Sequence, residues 1–149
     1  MAELRVFLDT SALFAAVWSE TGGARLILKL GEAGALSLWV GSWVLREADA
    51  VLMRKAEHSR VRLALLLDRA GVRVGEEASR QTIEQPQEAI EYLPDAQVLA
   101  EATELGVDDL VSCDRKHLVG NPHTEGLPFR IGTPGEFLEW YRSRWLARD

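Results

Sequence analysis

The chain has 149 residues, a formal net charge of −6 at pH 7, and 47% hydrophobic and 27% charged residues. This length suits a single domain spanning residues 1–149, and the apolar content excludes a chain too polar to fold. No run of about 18 or more apolar residues occurs, and no basic segment precedes an apolar stretch near residue 1. The sequence therefore predicts a cytoplasmic protein with no membrane association. The acidic balance argues against a nucleic-acid partner, except where basic residues accumulate between Arg46 and Arg73.

The predicted elements alternate between strands and helices along the chain. Short apolar runs predict strands at 4–8, 35–41, 72–74, 109–113 and 129–131. Helical spacing of apolar residues predicts helices in 11–18, 22–34, 42–56, 59–71 and 95–106, the first two being one helix or two. The polar segment 75–94 predicts a loop followed by a helix. A last helix begins after Thr133, where Pro134 and Glu136 complete a capping box.

This alternation predicts an α/β fold of three layers, with a mostly parallel sheet covered by helices on both faces. Ligands of such sheets bind at the carboxyl ends of the strands, near the point where the strand order reverses. Cys113 falls at the end of an apolar run, which predicts a small buried residue without a redox role.

Two predicted strands end in an acid. Asp9 follows the apolar run Val6 to Leu8, and Asp114 follows the run that ends at Cys113. Strand interiors are poor in aspartate, so each acid belongs at a strand exit. Asp9 is equally suited to be the N-cap of the next helix, and position alone leaves both interpretations open, but the repetition of the pattern favours a site.

Two further acids lie on predicted helices. Glu47 has apolar neighbours three and four residues away, so its carboxylate lies on the apolar side of its helix, where an acid needs a partner or a metal. Asp49 is a rival with similar neighbours, and Glu47 is favoured over it, partly on the resemblance described next. Asp95 follows Pro94 at a helix start, where an aspartate is commonly a cap.

Three segments of the sequence resemble the PIN domain, in particular the small ribonucleases of the VapC toxin type: VFLDTSALFA, LREADAVL and LPDAQVLAEATELGVDDLVSCDRKHL. The resemblance covers nearly the whole chain. It implies a central sheet of strand order 3-2-1-4-5 and a site of four acids, which correspond to Asp9, Glu47, Asp95 and Asp114. It also implies supporting hydrogen bonds from Ser11 and Ser112.

The function implied by this resemblance is metal-dependent hydrolysis of RNA, with products carrying 5′-phosphate and 3′-hydroxyl ends. Carboxylate oxygens are the ligands that Mg²⁺ and Mn²⁺ prefer, and one ion or two about 4 Å apart would suit four acids. Arg115 and Lys116 are candidate contacts to RNA phosphates, or else an ordinary solvated pair. The resemblance further implies an antitoxin partner and contributes to the expectation of a homodimer, for which the apolar segments 12–18 and 24–30 would supply the contact.

Other chemistries fit the sequence less well. His58, His117 and His123 form no close pair for zinc, and a single cysteine supplies no thiolate cluster. No phosphate-binding loop or dinucleotide glycine motif is present. The competing function is a PIN-like module that binds RNA or a protein partner without cutting; the presence of all four acids favours the enzyme.

Overall fold

The computed structural model describes residues 3–76 and 93–148, and within these ranges it excludes the side chains of 93–95, 123 and 148. Five parallel strands form one sheet in the order β3-β2-β1-β4-β5. They are β1 (Leu4–Leu8), β2 (Leu36–Gly41), β3 (Arg73–Gly75), β4 (Asp109–Val111) and β5 (Arg130–Gly132). The predicted parallel sheet and its strand order are confirmed.

The helices connect and cover these strands. They are α1 (Thr10–Trp18), α2 (Gly23–Glu32), α3 (Ser42–Lys55), α4 (Glu57–Arg69), α5 (Leu93–Leu105) and α6 (Pro134–Trp140), and α6 continues through a π turn at Tyr141–Trp145. The segment 11–34 therefore forms two helices. Among the described residues, no helix combines the length and the apolar character that crossing a bilayer requires.

The core lies on both faces of the central strand β1. Val6, Phe7 and Leu8 are almost fully buried, as a strand covered on both sides requires. Leu13 of α1 and Leu99 of α5 are also fully buried in this core. Each such side chain contributes roughly 1.5–3 kcal/mol when it is removed from water, so β1 is held firmly in the core.

The strand order reverses between β1 and β4. The chain builds β2 and β3 outward on one side of β1, and then returns to place β4 on the other side. Leu8 is level with Val111, so the residues that follow these two strands emerge side by side. This is the point where doubly wound sheets bind ligands.

Local predictions near the end of the chain have mixed outcomes. The capping box of α6 is confirmed: Thr133 accepts the backbone N–H of Glu136, and the Glu136 side chain reaches back to Thr133. The expectation that Cys113 is buried is wrong, because the strand ends at Val111 and Cys113 is exposed in the loop beyond it. The interpretation of segment 75–94 falls mostly outside the described residues.

Candidate active site

Asp9 is buried at the tip of β1, with 5% of its surface exposed. Its Oδ1 accepts hydrogen bonds from the backbone N–H of Ala12, at 2.9 Å, and from the Ser11 hydroxyl, at 2.7 Å. The first contact makes Asp9 the N-cap of α1. Asp9 is therefore a cap by geometry, and this role does not conflict with a second role toward a ligand, because a carboxylate has further lone pairs.

Burial raises the pKa of Asp9, and the negative charge of Asp114 adds to this effect. Hydrogen bonds from Ser112, Ser11 and the backbone of Ala12 act in the opposite direction. The carboxylate thus has neutral donors around it and a second acid nearby. A divalent cation would relieve both the desolvation and the repulsion.

Ser11 and Ser112 connect the ends of β1 and β4. Their hydroxyl oxygens are 3.4 Å apart. The backbone N–H of Cys113 donates to the Ser11 hydroxyl, and that of Asp114 donates to the Ser112 hydroxyl, both at 2.9 Å. These contacts hold the loop after β4 against the start of α1, so that Asp9 and Asp114 face the same region.

Asp114 is itself held by the turn that follows it. Its Oδ1 accepts the backbone N–H groups of Lys116 and His117, each at 3.0 Å. The Nδ1 atom of His117 lies 3.2 Å from Oδ2. The Asp114 side chain therefore has a fixed orientation, while remaining partly accessible to solvent.

Glu47 lies on the face of α3 that approaches the start of α1. Its Oε1 accepts a hydrogen bond of 2.6 Å from the hydroxyl of Thr10, the residue after Asp9. Asp49 points elsewhere: it forms a two-point ion pair with Arg60 of α4, at 2.8 and 3.1 Å. The contact between Thr10 and Glu47 was not predicted from the sequence, because nothing marks Thr10 there except its position between Asp9 and Ser11.

Asp95 lies in the first turn of α5, and its side chain is outside the described part of the chain. Among the residues whose side chains are described, no three His, Cys, Asp or Glu groups are gathered closely enough to form a metal site. The chemistry of Asp9, Glu47 and Asp114 nevertheless fits Mg²⁺ or Mn²⁺, because hard oxygen donors suit these ions and Mg²⁺ usually takes only one or two protein carboxylates and retains waters.

No protein-family model matches the chain, and no curated protein matches its sequence. Solved structures do match. VapC20 from Mycobacterium tuberculosis, a toxin that cleaves the sarcin-ricin loop, has 23% sequence identity and a TM-score of 0.52, over 70% of this chain and 86% of that one. PAE2754 from Pyrobaculum aerophilum has 17% identity and a TM-score of 0.65, over 95% of this chain and 91% of that one.

A third match is VapBC2 from Rickettsia felis, whose structure was solved bound to a DNA fragment from its promoter. It has 16% identity and a TM-score of 0.63, over 87% of this chain and 98% of that one. The chain has the fold of a VapC-type PIN domain. At such low identities the likeness concerns the arrangement of the strands and helices.

The two basic residues beyond Asp114 lie at the rim of the site. Arg115 has a side chain that is 70% exposed, and its Nη2 is 3.4 Å from the Glu136 carboxylate of α6. Lys116 is exposed as well. An exposed ion pair of this length contributes little to stability, so Arg115 can exchange Glu136 for another anion at small cost.

Proposed function

We propose that this chain, as one domain of residues 1–149, is a metal-dependent endoribonuclease and the toxin of a toxin–antitoxin pair. One observation carries the proposal. At the strand-order reversal of a PIN fold, Asp9 lies at the end of β1 and Asp114 in the loop after β4, the two segments are joined by Ser11 and Ser112, and Glu47 is hydrogen-bonded to the residue next to Asp9. The structural likeness to a toxin that cleaves the sarcin-ricin loop supports a nuclease activity.

Asp9, Glu47, Asp95 and Asp114 would hold Mg²⁺ or Mn²⁺, which when bound supplies an activated water and neutralises charge on the phosphate and the leaving oxygen. Neighbouring hydroxyl groups orient these carboxylates. Ser11 fixes one oxygen of Asp9, and Thr10 fixes one oxygen of Glu47. The contacts of Asp49 with Arg60 support Glu47 as the middle acid.

The RNA would approach over the loop after β4, where Arg115 and Lys116 are exposed. Both could contact backbone phosphates, which would steer RNA toward an otherwise acidic site. The proposal includes a cytoplasmic location for the protein and an antitoxin partner, and the VapBC2 structure supports the partner.

The proposal also includes a homodimer. Trp18 of α1 and Leu26 of α2 are 57% and 48% exposed, and these are the helices expected to form the contact. Burying such side chains against a second copy would remove large apolar groups from water.

Cleavage of a mixed set of single-stranded and structured RNAs tests the activity. We expect cleavage with Mg²⁺ or Mn²⁺, loss of cleavage in EDTA, and recovery when the ion is restored. Asp9→Asn, Glu47→Gln and Asp114→Asn should each lower the cleavage rate at least tenfold, while Asp49→Asn, which changes an acid two residues from Glu47, should retain it. Full cleavage in EDTA would refute metal dependence, and RNA binding without cleavage in Mn²⁺ would favour the binding module.

A further inference from the structure

Glu101 is a fully buried carboxylate that the acidic site does not contain. It lies on α5, about 9 Å along the helix axis from Asp95 at 1.5 Å per residue, and its exposed fraction is 0%. Burying an acid is costly unless it is hydrogen-bonded or paired. Its contacts therefore require an explanation.

The Glu101 carboxylate caps the N-terminus of α3. Its Oε2 accepts the backbone N–H of Trp43 at 2.9 Å, and its Oε1 accepts that of Val44 at 3.4 Å. The hydroxyl of Ser42 is 3.5 Å from Oε2. The N-cap position of α3 is Gly41, which has no side chain to serve these N–H groups. A residue of another helix thus replaces the cap that a serine or aspartate normally supplies.

Gly41 is required by this arrangement. A Cβ atom at this position would overlap the Glu101 carboxylate, so the absence of a side chain is what allows the acid to enter. Burial raises the pKa of Glu101, while the backbone N–H groups of Trp43 and Val44 and the charge of Arg46 act in the opposite direction, as the N-terminal end of a helix does. Glycine and glutamate, 60 residues apart in the sequence, together form one cap.

The consequence for the site comes through α3. Glu47 is on the second turn of this helix, where its Oε1 meets the Thr10 hydroxyl beside Asp9. Glu101 fixes the N-terminal turn of α3, and Thr10 fixes the side chain of Glu47 one turn later. A shift or rotation of that first turn would move the Glu47 carboxylate away from Asp9.

We propose that Glu101 is a positioning residue of the acidic site: it anchors the first turn of α3 and thereby sets the place of Glu47 relative to Asp9. This inference rests on the proposed function, since it assigns to Glu101 an effect on metal binding and cleavage. Partners that orient metal ligands typically change metal affinity or activity by roughly 10–100-fold when they are removed.

The test compares Glu101→Gln with a matched control, Asp109→Asn. Asp109 is also a buried acid, but it pairs with Arg130 at the opposite end of the sheet. Each variant removes a buried charge and weakens its hydrogen bonds, two changes that act on stability in opposite directions, so the melting temperature of each is measured first. We expect Glu101→Gln alone to weaken Mn²⁺ binding about tenfold, measured by calorimetry without RNA at a temperature well below its melting point.

The kinetics give a second readout. Glu101→Gln should lower kcat for RNA cleavage by a similar factor and leave KM nearly unchanged, because the exposed cations that meet RNA are not on α3's first turn. Should the Glu101→Gln protein not fold, Gly41→Ala carries the same test, since its Cβ displaces the carboxylate without removing it.

Mn²⁺ affinity and kcat equal to those of the parent, with at most a changed melting temperature, would reduce Glu101 to a structural cap and overturn the inference. A parent protein that neither binds Mn²⁺ nor cleaves RNA would refute the proposed function itself, and the positioning role with it. The two failures are therefore distinguished by the behaviour of the parent.

Discussion

Replacing Asp9 by asparagine should abolish cleavage and yet stabilise the metal-free protein near neutral pH. Asparagine has nearly the same shape, and its side-chain oxygen can still accept the N–H of Ala12, so the cap of α1 is retained. The serine hydroxyls can rotate to accept from its NH₂ group. What is removed is a buried negative charge close to Asp114.

The magnitude follows from separating the cap from the charge. Asp9→Ala also removes the charge but loses the cap, at a cost of about 1 kcal/mol. For a chain of this size, about 1 kcal/mol changes the melting temperature by roughly 3 °C. Asp9→Asn should therefore melt about 3 °C above Asp9→Ala. It should also melt above the parent. That second difference depends on how far the pKa of Asp9 is raised, because each pKa unit corresponds to about 1.4 kcal/mol of stability.

The pH dependence of stability shows whether the charge of Asp9 stabilises or destabilises the fold. Because burial raises the folded-state pKa of Asp9 above its unfolded value of about 3.9, ionised Asp9 destabilises the fold. This cost is full above the folded pKa and disappears as the pH falls below about 4. The advantage of Asp9→Asn over the parent should thus be largest at pH 7.5 and vanish near pH 3.5.

Circular dichroism melts in EDTA at several pH values measure these differences, with Asp9→Ala as the control. Added Mn²⁺ should then raise the melting temperature of the parent more than that of Asp9→Asn, because only the parent keeps the full ligand set. An Asp9→Asn protein that melts below the parent at pH 7.5 without metal would contradict the reasoning and leave Asp9 as a cap alone.

Three further outcomes are expected. Thr10→Val, which deprives Glu47 of its hydroxyl donor, should lower the cleavage rate about tenfold and leave the fold intact by circular dichroism; an unchanged rate would contradict the role of that contact. Arg115→Ala should raise KM for RNA and weaken its salt dependence with kcat unchanged, and a lower kcat alone would contradict this. Trp18→Asp should convert a dimer to a monomer in analytical ultracentrifugation, and a parent that is already monomeric at all concentrations would remove the dimer.

The position of Asp9 was predictable because a strand exit leaves a local signature: a parallel strand buried on both faces has no place for a carboxylate except its end. The same reasoning extended β4 too far, since that strand ends at Val111 and Asp114 lies three residues beyond it. The capping box at Thr133 is likewise a pattern within four residues. The strand order itself came from the resemblance to PIN domains, since the alternation of elements does not specify it.

Cys113 was misjudged because sequence gives no sharp end to a strand. Its apolar neighbours predict burial, but pairing of β4 with β1 stops at Val111, level with Leu8. Where a strand stops depends on how far its neighbours extend, and this is a property of the sheet.

Only the tertiary structure decided which residues support the acids. Asp49 and Glu47 have similar apolar neighbours along the helix, and it is the packing of α3 against α1 on one side and α4 on the other that directs Glu47 to Thr10 and Asp49 to Arg60. Glu101 and Gly41 are 60 residues apart, and neither is unusual in its own segment. Their contact forms because β2 ends beside α5 in the folded chain. The cap of α3 therefore depends on a contact between distant segments, which a local sequence pattern cannot predict.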